Sequence, residues 1–409
     1  MNKRDILELK RRLKGDKCNI NRLAGCYVDG TKNKVVQFTE SFLNLETGEY
    51  EKYLELARKL MSGTIGNHIL ELSFPAEELK PGGRQQFLNG LKASNLENDE
   101  LLDMLYDLII KSFRYDGNFL ILVFHDVYDI MTKTTDNMKL DESEEVYEYI
   151  LVAVCPVVLS KPGLGYLSGE NRIGARIRDW VVGAPELGFL YPAFDDRSAD
   201  LNRGDFFLRD PKDAHPDFTE EVLSCDAKRT STEKKQIFQV IVRQAFRQDE
   251  EEGEKTLLEL TESLQLKTMA EEEKEEAEDR LSAPIPLDEA LLQDILSENE
   301  VAEEPARRIL ENMRQEFTDE PVAVKELVDT KALNAYAPVK RERELVKEVE
   351  SLKAALKGTE DYDVVLRVSE PLEAQIRFET IDEQKYIMVP LTENASVSVN
   401  GKNRSMPDA

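Results

Sequence analysis

The residues best suited to acid/base or metal chemistry are His125, Asp126 and Asp129, which follow the apolar run FLILVF at residues 119–124. A strand holds its backbone rigid, so polar side chains at its end can face a crevice in fixed positions. General acid/base catalysis uses an imidazole or carboxylate placed within hydrogen-bonding reach of the reacting group. These three residues therefore predict a catalytic site, and the alternative is a histidine that only forms hydrogen bonds in the core.

The stretch NRIGARIRDW at residues 171–180 contains a second group of candidate residues. Arginine side chains bind carboxylate or phosphate through two parallel hydrogen bonds. The predicted anion-binding residues are Arg172, Arg176, Arg178 and Arg197. An enzyme acting on a phosphorylated or nucleic-acid substrate would need this group and His125 to meet in one pocket.

The same arginines also have a structural interpretation. If residues 176–182 form a strand, Arg176, Arg178 and Trp180 share one face, because side chains alternate along a strand. A turn at Pro185 would pair this strand with FLYPAF and place Arg176 opposite Asp195, where opposite charges stabilise a strand pair. A helix that begins at residue 171 and ends at residue 183 is the remaining alternative.

Several common catalytic motifs are absent from the sequence. It contains no GxxxxGK[ST] phosphate loop and no GxSxG nucleophile motif. The glycines of GLGYLSG at residues 163–169 have the wrong spacing for a dinucleotide-binding fingerprint, so a glycine-rich turn is favoured. The four cysteines form no CxxC pair, which favours reduced thiols in a cytoplasmic protein. No cofactor is expected.

The acidic residues are concentrated in the C-terminal part of the chain. Of the net charge of -27, residues 1–248 contribute -6 and residues 249–409 contribute -21. Seven Lys and Arg residues against three acidic residues make residues 1–17 basic, so weak nucleic-acid binding through an N-terminal helix is one hypothesis. The acidic tail would compete for that helix. The longest apolar run, at residues 150–159, is too short to span a bilayer, and the N-terminus lacks the apolar core of a signal peptide, so no membrane association is expected.

The pattern of apolar residues predicts a mixed α+β fold without regular βαβ alternation. Residues 1–248 are expected to form an α+β domain, with helices at 4–13, 48–61, 82–93, 98–113, 216–224 and 231–246 and buried strands at 119–124 and 149–159. Residues 249–283 are dense in charge and predict an acidic spacer, either helical or disordered.

Two smaller modules are expected after the spacer. Residues 284–337 predict a small helical module, and residues 338–409 predict a short helix followed by a three-stranded unit formed by DVVLRV, AQIRFETI and KYIMVPL. Leu345, Val349, Leu352 and Leu356 have coiled-coil spacing over about two heptads, which suggests a partner helix. These C-terminal helical modules are the expected contact for an unknown protein partner.

The order of N-terminal motifs resembles an uncharacterised bacterial domain-of-unknown-function family, number 4317. The resemblance rests on DKCNINRLAGCYVDG, GNFLILVFHDVYDI, LSKPGLGY, NRIGARIRDWVVG and GFLYPAFDDRSAD. It covers most of the chain, is specific through residue 232, and implies an intracellular bacterial protein without transferring any catalytic residue. The leading hypothesis from the sequence is a non-enzymatic cytoplasmic interaction or regulatory protein.

Overall fold

The computed structural model describes residues 1–15, 20–133, 139–247, 249–278, 284–318, 320–357, 375–390, 397–399 and 402–404. The contacts divide the chain into one unit of residues 1–333 and another of residues 334–409. Both contain helical segments, and all their paired strands are antiparallel. The predicted α+β class is therefore confirmed.

Ten of the described α-helices lie wholly within the first unit, and an eleventh begins there. They are α1 Lys3–Arg12, α2 Thr47–Leu60, α3 Arg84–Ala93, α4 Asp99–Ser112, α5 Pro216–Leu223, α6 Ser231–Ala245, α7 Glu250–Glu278, α8 Glu289–Glu298, α9 Glu303–Glu316, α10 Val324–Leu327 and α11 Thr330–Lys357. Side chains cap several of them: Asn2 accepts from the backbone of Asp5, and Thr230 accepts from that of Glu233. The predicted helices of residues 1–248 are all present, with ends shifted by one or two residues.

Twelve strands are described in the same unit. They are β1 Ile20–Val28, β2 Lys34–Ser41, β3 Ile69–Ser73, β4 Asn118–Lys133, β5 Lys139–Leu159, β6 Leu164–Leu167, β7 Arg172–Ala175, β8 Trp180–Val182, β9 Leu187–Tyr191, β10 Ala193–Asp195, β11 Ser198–Asp200 and β12 Arg203–Leu208. Eight of them form one sheet in the order β2-β1-β4-β5-β9-β12-β3, with β8 paired to β5.

Helices cover both faces of this sheet, which is why FLILVF is apolar without alternation. On one face, Ile121 and Val123 pack with Leu105 of α4 and Val222 of α5. On the other face the apolar residues include Leu122 and Phe124 of β4, Leu9 of α1, Leu54 of α2 and Leu151 of β5. The central strands therefore bury successive side chains in opposite cores.

A third core joins α6 to the helices that follow it. Phe238 and Val242 of α6 pack with Leu260 and Leu264 of α7 and with Ile295 of α8. The first half of the segment expected to be an acidic spacer is thus a packed helix, because its leucines recur at helical spacing among the glutamates. The boundary expected at residue 248 lies between two helices of this core.

The structure corrects one predicted strand pairing. Strands β8 and β9 do not pair with each other; Val182 pairs with Val157 and Leu187 with Val154, so both strands lie along β5. The linking segment is attached to β5 as well, because the Gly183 amide donates to the Pro156 carbonyl at 2.7 Å. At 21 residues, β5 is long enough to pair with both strands.

In the second unit, the described residues of helix α11 precede β13 Arg377–Ile381 and β14 Gln384–Met388, which form an antiparallel hairpin. This confirms the last two strands of the predicted three-stranded unit, whereas DVVLRV at residues 363–368 lies outside the described residues. A further hairpin joins β15 Val397–Val399 to β16 Lys402–Arg404.

Candidate functional site

The predicted acid/base pair, His125 and Asp126, is split between the two faces of the sheet. Both side chains are buried, but adjacent strand residues point in opposite directions. The His125 Nε2 atom lies 3.0 Å from Glu148, whose other oxygen is 3.3 Å from the Lys92 ammonium. Asp129 is exposed and lies four residues beyond His125 on β4, which is about 13 Å at roughly 3.3 Å per residue. The three residues therefore do not form one catalytic site.

Asp126 instead belongs to a polar network beneath α1. Its carboxylate accepts from Arg12 at 3.1 Å and from the Tyr149 hydroxyl at 2.7 Å. The Arg12 guanidinium also stacks 4.0 Å from the Tyr128 ring, and that tyrosine donates to Glu8. Burial raises the pKa of Tyr149 well above its usual range, and the Asp126 carboxylate adds to this rise. The network fixes α1 to the sheet.

One predicted anion-binding residue lies at the end of this network. Arg197 follows β10 and pairs with Glu8 of α1 at 3.3 Å. The exposed basic side chains of α1 are Lys3 and Arg11 together with Arg4, while Arg12 points inward. Arg12 is therefore not available to a nucleic acid, and fewer basic side chains of α1 can contact phosphates than the sequence suggests.

The other three arginines lie on a long hairpin that extends from the end of β5. Val157 pairs with Val182 where β5 meets β8, and the same register continues to Leu167 and Arg172 where β6 meets β7. Between the two ladders, the Ser160 amide donates to residue 179 at 2.8 Å, and the residue 176 amide donates to residue 163 at 2.9 Å. We call residues 158–182 the β-arm.

The β-arm consists of two ladders whose hydrogen bonds are out of phase. One backbone hydrogen bond joins residues 160 and 179 and the next joins residues 163 and 176, whereas an unbroken antiparallel ladder bonds every second pair. Alternation therefore defines faces within each ladder, but not across residues 160–163 and 176–179. In the β6–β7 ladder, one face, which we call the basic face, contains Leu167, Arg172 and Arg176, and the opposite face, which we call the apolar face, contains Leu164, Tyr166, Ile173 and Ala175.

Glycines let the arginines lie flat on the basic face. A Cβ atom at Gly174 would lie 2.5 Å from the Arg172 guanidinium and 2.8 Å from Leu167, and one at Gly165 would touch Arg176. Arg178 donates to the carbonyl of Ser160 at 2.7 Å. These contacts hold the guanidinium stems without burying their charged ends.

Both faces of the β-arm are open within the described part of the chain. Leu164 and Ile177 are each 78% exposed, Trp180 is 55% exposed, and Ile173 and Tyr166 are exposed by 65% and 63%. Monomeric proteins rarely leave so many neighbouring large apolar side chains in water, and contiguous apolar patches of this kind mark binding surfaces.

The two predicted sites do not meet. His125 pairs with Ile150 of β5, whereas Arg178 contacts the backbone at Leu159 and Ser160. Nine residues of extended strand separate Ile150 from Leu159, which is about 30 Å. The pocket that would combine His125 with an arginine clamp is therefore not formed.

The ion-pair ladder expected between Arg176 and Asp195 is also wrong. Asp195 pairs with Arg203 at 2.9 Å and lies in the β10–β11 hairpin. Arg176 lies on the β-arm, which extends from the end of β5 and does not pair with β9. The expectation failed because it placed the hairpin turn at Pro185.

Sequence reasoning missed a buried carboxyl group. Asp205 of β12 is fully buried, and one of its oxygens accepts from the Phe194 amide at 3.4 Å while the other has no partner among the described residues. Burial raises the pKa of Asp205 to about 7, and the Glu71 carboxylate contributes to the rise. The alternation in RGDFFL was the only sequence signal, because it puts residue 205 on the same face as Phe207.

A pocket near these residues is lined by side chains that already pair with one another. It has a volume of about 460 Å³ and is lined by Asp195, Asp200, Arg203 and their neighbours. Arg203 already pairs with both of these aspartates and with Glu71. Within the described ranges, no group of three or more histidine, cysteine or acidic residues has the geometry to hold a metal ion.

Comparison with known proteins gives a family and no activity. The family model described as Domain of unknown function (DUF4317) matches residues 1–401. No curated protein matches the chain. Among the described helices, none combines the length and the apolar character needed to cross a bilayer.

Proposed function

The chain belongs to the DUF4317 family, and we propose that it is a non-enzymatic cytoplasmic interaction protein that binds an acidic partner protein through the basic face of its β-arm. The observation that carries this proposal is the exposure of Arg172, Arg176, Arg178 and Trp180 along one hairpin. The candidate catalytic residues do not compete with it, because His125, Asp126 and Asp129 diverge in the described structure.

The composition of the β-arm supports a protein contact. Arginine and tryptophan are enriched among the residues that dominate binding energy at interfaces. Arginine also bonds two carboxylate oxygens at once, which gives direction as well as affinity. A rigid hairpin presents these side chains with less loss of conformational freedom than a flexible loop would.

The charge of the β-arm indicates the chemistry of the partner. The arm has four basic and two acidic residues, in a chain whose net charge is -27. An acidic partner would be repelled by most of this chain and attracted to the arm, so association depends on its docking there. Nucleic acid would meet the same repulsion without the apolar contacts that an interface core provides.

A second contact is supported by the C-terminal helix. The apolar sides of α8 and α9 are buried in the third core, so they are closed to a partner. On α11, Leu345, Val346 and Val349 are about half exposed and lie on one side of the helix. This stripe suits a partner helix, as the heptad spacing predicts.

The buried cysteines are consistent with the cytoplasmic part of the proposal. Cys26, Cys155 and Cys225 are free thiols inside the cores. Burial raises the pKa of the Cys155 and Cys225 thiols to about 12. Such thiols are unreactive and are typical of proteins in a reducing compartment.

Site-specific cross-linking tests the proposal. A photoreactive amino acid at position 176 of the full chain, expressed in its native cells, should capture one reproducible acidic protein. The same group at Leu266, which is 63% exposed on α7, is the matched control. Capture should disappear in R178E and weaken at high salt. Equal products from positions 176 and 266 would contradict an arm-specific partner.

A further inference from the structure

We infer that the β-arm contains a joint, at which its outer part turns relative to the sheet, and that the side chain of Arg178 latches this joint. The outer part, which we call the tip, is residues 164–175, the β6–β7 ladder with its turn. The joint is the pair of segments 160–163 and 176–179, which belong to neither ladder. The inference concerns the isolated chain and does not depend on the proposed partner.

Pro162 explains why the two ladders do not join. An antiparallel ladder hydrogen-bonds every second pair, so the bonded pair 160/179 would be followed by the bonded pairs 162/177 and 164/175. Proline has no amide hydrogen, so residue 162 cannot donate to residue 177. Instead, the Arg176 amide donates to the Gly163 carbonyl at 2.9 Å. The ladder therefore changes phase at the proline.

Side chains complete the hydrogen bonding on the sheet side of the joint. The Ser160 amide donates to the Asp179 carbonyl at 2.8 Å, as in a regular ladder. The Asp179 amide donates in return to the Ser160 hydroxyl, at 3.1 Å, rather than to the Ser160 carbonyl. That carbonyl accepts from Arg178 Nε at 2.7 Å. Because Arg178 is exposed, water competes for the same groups, and the latch can open without breaking either ladder.

The tip has few contacts that would resist such motion. Among the described residues 164–175, only Gly174 is buried, and Leu164, Tyr166 and Ile173 are each at least 63% exposed. Segments with few buried apolar contacts move at a low cost in free energy. Each ladder stays internally bonded, so the motion is concentrated in the backbone dihedral angles of the joint, as in other hinges.

Turning at the joint changes how the two ends of the β-arm face a partner. Arg172 lies on the tip and Trp180 lies at the base, so the distance and the angle between them depend on the joint. The arm can therefore fit surfaces of different shape, and the freedom lost on binding is limited to the joint. The alternative is a fixed kink, in which the change of phase sets a single angle between the ladders.

Distances between two spin labels distinguish a joint from a fixed kink in the full chain. In a C18S background, labels at G169C and M104C report the tip against α4; a Cβ atom at Gly169 meets no other atom within 4 Å, and Met104 is 52% exposed. Their distance distribution should be at least about twofold wider than that of the reference pair M104C and L266C, since both reference positions lie on packed helices.

P162V tests the origin of the joint. It restores an amide at residue 162, which allows the ladder to continue in phase, and should narrow the G169C/M104C distribution at least about twofold. K161V is the matched control, because it adds the same side chain one residue earlier and keeps the proline. Its distribution should remain as wide as that of the parent chain. Circular dichroism checks that both variants fold.

Hydrogen exchange tests the latch separately. R178A should speed exchange of the Ser160 and Asp179 amides by about tenfold or more, whereas R172A, which removes an arginine of the tip, should change it by less than about twofold. Unchanged exchange in R178A would overturn the latch. A parent G169C/M104C distribution no wider than the reference pair would establish a fixed kink and overturn the joint, whether or not P162V folds.

Discussion

The guanidinium of Arg12 lies 3.1 Å from the carboxylate of Asp126, a pair separated by 114 residues in the chain and buried between α1 and the sheet. Burial opposes the charged form of Arg12, but Asp126 together with Tyr149 and Tyr128 outweighs this effect, so the pKa of Arg12 is raised. The pair therefore gives the basic N-terminal helix a structural role, and the most buried cation of that helix is the one least available to a ligand.

Removal of this arginine should destabilise the fold. R12A leaves Asp126 buried with Tyr149 as its remaining neutral donor, and loss of one partner of a buried pair typically costs about 3–5 kcal/mol. Because Arg12 retains some exposure, we expect about 3 kcal/mol in the free energy of unfolding, measured with urea. R11A changes an exposed neighbour and should cost less than about 0.5 kcal/mol. Equal effects would refute the structural role.

Asp205 should make stability depend on pH. Its pKa is about 7 in the folded chain and near 3.8 when unfolded, so the folded state binds more protons between these values. Stability contributed by the neutral group is therefore lost as pH rises towards 7. Between pH 5 and 8 this amounts to about 2–3 kcal/mol, at 1.36 kcal/mol per pKa unit.

Asparagine at position 205 cannot titrate and has nearly the same size and shape as aspartate. The variant D205N should gain stability relative to the parent chain as pH increases from 5 to 8, measured as the difference between their urea unfolding curves. D196N, which changes an exposed aspartate in a nearby turn, should leave the pH profile unchanged. A constant difference between D205N and the parent at all pH values would show that Asp205 does not titrate in this range.

The leucines of α7 should differ in how much they contribute to the free energy of unfolding, because only some of them are packed in the third core. Leu260 is fully buried in the third core, whereas Leu266, six residues later, is 63% exposed. L260A should therefore cost about 2–5 kcal/mol in the free energy of unfolding, and L266A less than about 0.5 kcal/mol. If residues 249–283 were a solvated spacer, both substitutions would be nearly neutral. Urea unfolding followed by circular dichroism distinguishes the two cases.

The local pattern of apolar residues and caps predicted most helices and strands, but it predicted much less of how the strands pair. The helices at residues 98–113 and 231–246 were recognisable because apolar spacing and caps are properties of neighbouring residues. The partner of β8 was not recognisable, because the nearest turn suggested β9 while the long continuation of β5 provided a competing ladder. Strand pairing depends on contacts between distant segments, which a single sequence does not encode locally.

The same limit applies to the candidate sites. A period of two predicted Arg176, Arg178 and Trp180 on one face, but residues 176–179 belong to neither ladder of the β-arm, so the alternation is interrupted there. The separation of His125 from Asp126 follows from the same period, but both residues had been assigned to a strand end, and β4 continues for seven residues beyond Asp126. The link from Asp126 to Arg12 could not be predicted, since it depends on how α1 docks.

The single tryptophan should report on partner binding at the β-arm. Trp180 is 55% exposed and pairs with Leu159 at the base of the arm. Its fluorescence in the isolated chain should be strongly quenched by acrylamide, and W180F should change the free energy of unfolding by less than about 0.5 kcal/mol. Binding of the acidic partner captured from position 176 should shift the emission to shorter wavelength, because the indole becomes covered. An emission maximum that stays unchanged on binding would place the partner away from Trp180 and contradict a contact at this part of the β-arm.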